Sequence, residues 1–254
     1  MSLECLIFDV DGTLADTERD GHRVAFNQAF EDAGLGWHWD VNTYGELLAV
    51  TGGKERMRHY VEDYQPEYEK PGNFDAMVVE LHAAKTRHYT GLMREACIPL
   101  RPGVERLLKE ARAQGLRLAI ATTTTPANVS ALLTSTLGEN GESWFEVIGA
   151  GDVVPAKKPA PDIYDYVLKK LDLPAGACLA FEDSENGIRS SRGAGLKTII
   201  TVNGYTETHD FNGAEIVLDN LGEPDQPARV IAGAGINGAS CVDITTLKQL
   251  HSRS

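Results

Sequence analysis

Two carboxylates one residue apart, Asp9 and Asp11, interrupt the run LIFDVDGTL. Side by side they repel each other, and if buried they lose hydration, so a strand end that only had to be stable would have no use for both. They form either a solvated turn or the seat of something positive. Matching chemistry recurs at Thr122 and Thr123 after LRLAIA, at Lys157 and Lys158 after FEVIGAGD, and at Glu182 and Asp183 after ACLAF. Asp9, Asp11, Glu182 and Asp183 are hard oxygen donors with no His or Cys among them, a set that suits Mg2+. A cation there would neutralise the paired charge and let a phosphate dianion approach a carboxylate. A lysine would add a second positive charge for the phosphoryl oxygens, and Thr122 a hydroxyl donor. One carboxylate could then attack phosphorus to form an aspartyl-phosphate. The other could protonate the leaving oxygen and later activate water. Spacing alone leaves open which of Asp9 and Asp11 does which.

These groups act together only if the fold gathers them, and the apolar pattern predicts how. Leu3 to Phe8 reads as a buried strand, and the next is LRLAIATT, Leu116 to Thr123. Between them, residues 17 to 94 hold no convincing strand but carry the helical stretches GHRVAFNQAFEDAG, KERMRHYVEDY and FDAMVVELHAAKTRHYTGLM. From Pro102 onward the elements alternate. Helix VERLLKEARAQG ends at Gly115, a C-cap, before strand LRLAIA and a helix from Pro126. Strand FEVIGA, helix PDIYDYVLKKL, strand ACLAFED, helix SENGIRSSRGAG and strands KTIITV and EIVLD follow. Pro126 and Pro161 suit first helical turns. The stretch GEPDQPARVIAGAGINGAS reads as a loose connection, and CVDITTLKQLH as a strand plus a helix.

The alternation predicts an α/β protein with a doubly wound, mostly parallel sheet. Its core domain would be residues 1–16 and 95–254, and its helical cap domain residues 17–94. Ligands of such sheets bind at the carboxyl ends of the strands, and each polar position above falls at one. A single carboxylate there is commonly a helix cap; polar groups at four strand ends on one edge point to a site.

Composition narrows the partners. The 254 residues, 42% hydrophobic and 24% charged, belong to an ordinary globular chain. A formal charge of −13 argues against nucleic acid or an anionic membrane. Cys5, Cys97, Cys178 and Cys241 are scattered, without zinc-type spacing, and are expected as free thiols in a reducing compartment. No signal peptide is visible, and no apolar run approaches the ~18 residues of a membrane span. The expected setting is the cytoplasm, or an organelle for a mature form, with the chain acting as a monomer on a small phosphorylated sugar.

DxDGT after an apolar strand, a Thr ending LAIATT, then KKPAPDIY and EDSENG, in this order, strongly resemble the four motifs of the haloacid dehalogenase superfamily. The resemblance spans residues 5 to 220 and implies a Rossmann-like core with a helical cap inserted after the first strand. It also implies roles: Asp9 as nucleophile, Asp11 as general acid/base and as donor of a backbone carbonyl to Mg2+, Thr122 and Lys158 as phosphate binders, and Glu182 with Asp183 as the acidic pair at the metal. Thr13 fits the phosphatase form of the first motif.

Within the superfamily, DTERDGHRVAFNQAF and WHWDVNTYGELLAVTGGKERM resemble the CbbY group. That resemblance implies an Mg2+-dependent phosphatase removing the 1-phosphate of xylulose 1,5-bisphosphate, an inhibitory by-product of Rubisco in the Calvin cycle. A bisphosphate needs cations for its distal phosphate. Gly52 and Gly53 are expected to present backbone N–H groups, with Lys54 beside them and Lys85, Arg58 or His82 assisting. Glu18, His22 and Thr123 are expected to contact the substrate. Trp37 and Trp39 read as cap packing, Asn128 as a first-turn polar residue and Lys157 as a rim ion-pair partner. The alternatives are a phosphomutase, a phosphatase of another small ester, or a non-catalytic relative; the last is disfavoured because Asp9, Asp11, Lys158 and Asp183 are all present.

Overall fold

β1 (Cys5–Phe8) is apolar throughout, and β4 (Cys178–Glu182) is apolar up to its last residue; both are fully buried, as central strands of a parallel sheet must be. They pair in parallel with Phe8 opposite Phe181, the two rings stacked at 4.4 Å. The computed structural model describes residues 1–96, 98–233, 235–236 and 240–253. β2 (Arg117–Ala121) and β3 (Val147–Gly149) extend the sheet beyond β1, and β5 (Lys197–Thr201), β6 (Ile216–Leu218) and β7 (Val230–Gly233) extend it beyond β4. The order is β3-β2-β1-β4-β5-β6-β7, with only β6 and β7 antiparallel. The chain runs outward from β1 to β3, then crosses back to β4 and runs outward the other way. The crevice where direction reverses lies above the carboxyl ends of β1 and β4.

Helices α5 (Val104–Ala113), α6 (Pro126–Leu137) and α9 (Ile244–Ser252) pack on the face carrying Leu6, Phe8, Leu179 and Phe181. Helices α7 (Asp162–Leu171) and α8 (Glu185–Gly193) cover the other face, where Cys5, Ile7, Cys178 and Ala180 meet α7. Side chains alternate along a strand. The same alternation therefore sends the next members of the series, Asp9 and Glu182, to the α7 side, and the β1–β4 register sets them level. This step turns two distant motifs into one site.

Between β1 and α5 lie a π-helical turn (Glu18–His22) and helices α1 (Arg23–Asp32), α2 (Val41–Leu47), α3 (Gly53–Tyr64) and α4 (Phe74–Ala96). They enclose their own apolar cluster, built on Phe26, Phe30, Trp37, Trp39, Tyr44 and Met57. Full burial of Phe26 and Phe30 contributes about 1.5–3 kcal/mol for each side chain. Trp37 and Trp39 pack this helical layer, as their sequence context suggested. The two linkers to the sheet run side by side: Arg101 N–H donates to Leu14 C=O at 2.9 Å. The buried Arg101 guanidinium spans the junction, donating to the carbonyls of Gly12, Thr201, Val202 and Asp219.

Some expectations are corrected. The stretch read as a loose connection contains β7, whose short apolar run Val230–Gly233 finds a ladder on β6. Residues 241–243 form no strand; Asp243 instead caps α9 by accepting from Thr246 N–H at 2.7 Å. Pro161 sits at the N-cap of α7 rather than within its first turn, whereas Pro126 opens α6 behind the Thr125 cap. Gly115, at φ +75°, follows α5 as expected. Cys5 and Cys178 are free and buried and Cys241 is half-buried; Cys97 lies outside the described residues. Among the described residues no helix is long and apolar enough to cross a membrane.

Candidate active site

Lys158 is the hub of the crevice. It is buried, and its Nζ donates to Asp9 Oδ1 at 2.7 Å and to Glu182 Oε1 at 2.6 Å. From α7 the Tyr164 hydroxyl donates to the same Glu182 oxygen at 2.5 Å. Asp183, on the next residue, accepts from Asn203 Nδ2 at 2.7 Å. Gly12, at φ +83°, turns the chain after Asp11; a Cβ there would lie 2.3 Å from Asp183 Oδ2, so only glycine permits this approach.

The charge count does not balance. Asp9, Glu182 and Asp183 each bring a carboxylate oxygen within 4.8 Å of the others, all three residues are buried, and Lys158 is the cation that pairs with two of them, Asp9 and Glu182. Burial raises the Asp9 carboxyl to about 7 against the pull of Lys158, with the Glu182 and Asp11 charges adding to the rise. Burial and the Asp9 and Glu182 charges push Asp183 well above the carboxylate range. Glu182 Oε2 is buried without a hydrogen-bond partner. Surplus negative charge and an orphaned oxygen, in an all-oxygen donor set, fit a divalent cation of the Mg2+ type. Asp9, Glu182 and Asp183 are the side chains that would hold it.

The Asp11 side chain stands outside that cluster, so the expectation that Asp11 is a metal ligand can rest only on its backbone carbonyl. Its Oδ1 accepts from Thr17 Oγ1 at 2.5 Å and from His22 Nε2 at 2.8 Å, and His22 Nδ1 lies 2.6 Å from Lys85 Nζ. An ammonium at Lys85 can only donate, so Nδ1 accepts and Nε2 carries the proton given to Asp11. Burial alone would raise the Asp11 carboxyl, yet the His22 and Thr17 contacts hold it at about 2. Burial lowers the Lys85 amine to about 8 against the attraction of Asp11 and Glu18. The π-helical turn at 18–22 sets this chain, since it buries His22 at the hinge.

A cleft of about 250 Å³ opens between sheet edge and helices, reached by Asp9, Asp11, Thr122, Thr123, Glu18 and Arg56. Thr122 is buried at the end of β2, while Thr124 and Thr125 serve the α6 N-terminus. On the helical side, Glu18 accepts from the Tyr44 hydroxyl, which accepts from Arg56 Nη1 at 2.8 Å. A smaller cavity of about 40 Å³ adjoins it, walled by Gly52, Gly53, His82, Lys85, Thr123 and Asn128. Burial and the Lys85 charge lower His82 to about 4, so its imidazole is neutral near pH 7. Asn128, read as an ordinary first-turn residue, is buried here with its Oδ1 unpartnered.

Lys54 does not face this space. Its Nζ reaches across to Asp152 at 2.6 Å, where Lys157 also binds at 2.6 Å, and the two lysines hold the Asp152 carboxyl down at about 2. The Gly52–Gly53 turn has the Glu55 carboxylate against it: a Cβ on Gly52 would lie 2.2 Å from Glu55 Oε2. Arg58 pairs with Asp75 on the outer surface. Arg56, not singled out from the sequence, is the buried cation facing the cleft. Its signal was available: Arg56, Met57, Tyr60 and Val61 share the buried face of α3, and an arginine within an apolar helix face needs a partner. Tyr164, Asn203 and Tyr44 had no such signal. Asn186 Nδ2 closes the helical layer onto the sheet edge through Ala49 C=O and Thr51 Oγ1, both at 3.1 Å.

Residues 3–195 match the family model of the haloacid dehalogenase-like hydrolases, and the chain belongs to that family. The site just described is that of a phosphatase enzyme within it. Among its relatives, the CbbY protein of Cupriavidus necator is 46% identical over 250 residues, covering 98% of this chain and 97% of that one. CbbY of Rhodobacter capsulatus is 50% identical over 221 residues, 87% of this chain and 95% of that one. The crystal structure of CbbY from Rhodobacter sphaeroides in complex with phosphate is similar at a TM-score of 0.80 and 44% identity, covering 86% and 94% of the two chains. A mutant of that CbbY, crystallised in complex with xylulose-(1,5)bisphosphate, gives a TM-score of 0.79.

Proposed function

We propose that this protein is an Mg2+-dependent sugar-phosphate phosphatase whose substrate is xylulose 1,5-bisphosphate, cleaved at the 1-phosphate to give xylulose 5-phosphate. The observation that carries the reading is the placement of two cationic groups on opposite sides of one cleft, Lys158 at Asp9 and Arg56 beneath the helical layer. A substrate with two phosphates can present one to each cation. The similarity to a protein crystallised with xylulose-(1,5)bisphosphate supports the choice of sugar.

In this reading Asp9 attacks phosphorus while Lys158 and Thr122 hold the phosphoryl oxygens. The bond from phosphorus to the sugar oxygen breaks, and Asp11 delivers a proton to that oxygen. Asp11 is ionised at rest, so its proton comes from the Lys85 ammonium through His22, whose hydrogen bonds run head to tail, and the proton Asp11 later takes from water returns to Lys85 the same way. In the second half, Asp11 takes a proton from water, the water oxygen bonds to phosphorus, and Asp9 is released as carboxylate. Mg2+, when bound, supplies Lewis-acid stabilisation of the phosphoryl charge. Residues 17–94 act as the cap over residues 1–16 and 95–254, in a monomer of the cytoplasm or of an organelle.

A phosphate-release panel of sugar mono- and bisphosphates tests the substrate. Xylulose 1,5-bisphosphate is expected to have the highest kcat/KM; a monophosphate that matches it would overturn the choice. Arg56→Lys should lower kcat/KM for the bisphosphate about 10- to 100-fold, the worth of a charge-assisted hydrogen bond, and spare p-nitrophenyl phosphate. Lys54→Ala should change both substrates little, because its partner is Asp152. Equal losses on the two substrates in Arg56→Lys would remove Arg56 from the distal site. Chelation by EDTA should abolish turnover and Mg2+ restore it; full activity in EDTA would contradict the metal reading.

A further inference from the structure

The Tyr164 hydroxyl is a buried polar group on an otherwise apolar helix face. Ile163, Val167, Leu168 and Leu171 of α7 pack against the sheet around it, and a phenylalanine ring would fill the same space. A buried phenol needs a partner, and among the described residues its hydrogen-bond partner is Glu182 Oε1. That oxygen also takes the Lys158 bond, so its two acceptor positions are both in use. The remaining oxygen, Oε2, is buried and unpartnered, and lies so close to α8 that a Cβ on Gly187 would sit 1.9 Å from it.

We infer that Tyr164 is a positioning residue for the divalent cation: by occupying Glu182 Oε1 together with Lys158, it leaves Glu182 a single oxygen to offer a metal. The inference rests on the reading of Asp9, Glu182 and Asp183 as the metal site. Two physical consequences follow from the shared oxygen. Lys158 divides its hydrogens between Asp9 and Glu182, and a phosphate arriving beside Asp9 competes for them. Tyr164 has no second acceptor, so it holds Glu182 when Lys158 turns to phosphate. In addition, a carboxylate with only one oxygen to give suits Mg2+, which keeps a compact octahedral shell, better than Ca2+, which readily accepts both oxygens of a carboxylate.

The test is calorimetric titration of Mg2+ and of Ca2+ into metal-stripped full-length protein, wild type and Tyr164→Phe, with thermal melting to verify the fold. Tyr164→Phe is expected to weaken Mg2+ binding about tenfold, the usual loss when an outer partner of a metal ligand is removed, and to weaken Ca2+ less. The ratio of the two affinities is the readout that mere packing would not move. Should the Phe variant not fold, Tyr164→Leu also lacks the hydroxyl and should show the same loss. Wild-type affinity for both ions in either folded variant overturns the inference while leaving the metal site intact. If wild-type protein itself takes up no Mg2+, the reading of the acidic cluster fails, and this inference with it.

Discussion

Asp9→Asn is expected to lower kcat by about 10⁵-fold or more while the protein melts as a folded unit, because in the proposed mechanism Asp9 forms the bond to phosphorus. An amide in that position keeps the shape and one acceptor for Lys158 but cannot form the acyl-phosphate. The measurement is steady-state phosphate release together with rapid-quench analysis for a phosphorylated protein. Wild type should give an acid-stable, hydroxylamine-sensitive phosphoenzyme, and the variant none. A variant retaining a tenth of wild-type turnover would rule out covalent catalysis at Asp9. Asp11 offers no rescue: its Oδ1 is committed to Thr17 and His22, and its side chain lies outside the carboxylate cluster.

Lys158→Ala is expected to be the most damaging change to stability in the site. It strips the paired cation from two buried carboxylates, Asp9 and Glu182, in a cluster of three, and breaking a buried pair of this kind costs about 3–5 kcal/mol. The cost should depend on pH in a definite direction. Burial has already raised Asp9 to about 7 and Asp183 above its ordinary range. A carboxyl raised on folding contributes stability below its unfolded pKa, near 4, and loses it as pH climbs through the folded value. Without the pull of Lys158 the folded value of Asp9 rises further. Metal-free Lys158→Ala should therefore lie close to wild type near pH 4 and fall behind by the full amount near pH 8, and Mg2+ should recover part of the deficit. Urea melts in EDTA at the two pH values, with and without added Mg2+, provide the check. A deficit equal at both would mean that Lys158 matters through packing rather than charge.

How much of this was legible beforehand varies with the physics of each residue. The motifs at strand ends were readable because a parallel α/β sheet presents every strand's carboxyl end to one edge, so position along the strand becomes position in space. The helical layer was readable because residues 17 to 94 keep helical spacing without a strand run. β7 was not, since four residues carry too little pattern until a neighbouring edge offers hydrogen bonds. Lys54 shows what a local pattern leaves out. A lysine beside two glycines looks like a phosphate seat, but the loop after β3 brings Asp152 to it, a pairing 98 residues away. Arg56 lay two positions further on, and its place on the buried face of α3 became meaningful only once Tyr44 and Glu18 were seen beside it.

By itself, the sequence determined the family, the parallel core and the strand-end carboxylates and lysine of the candidate site, because those depend on residue type and on spacing within a strand. The tertiary structure alone decided how these groups share their hydrogen bonds. It assigned Lys158 to two acids, gave Asp11 to His22 with Lys85 behind it, paired Lys54 with Asp152, buried Arg56 beside Tyr44, and set a tyrosine hydroxyl against Glu182. The reason is distance along the chain: hydrogen bonds between residues far apart in sequence follow from register and packing, which no local pattern encodes.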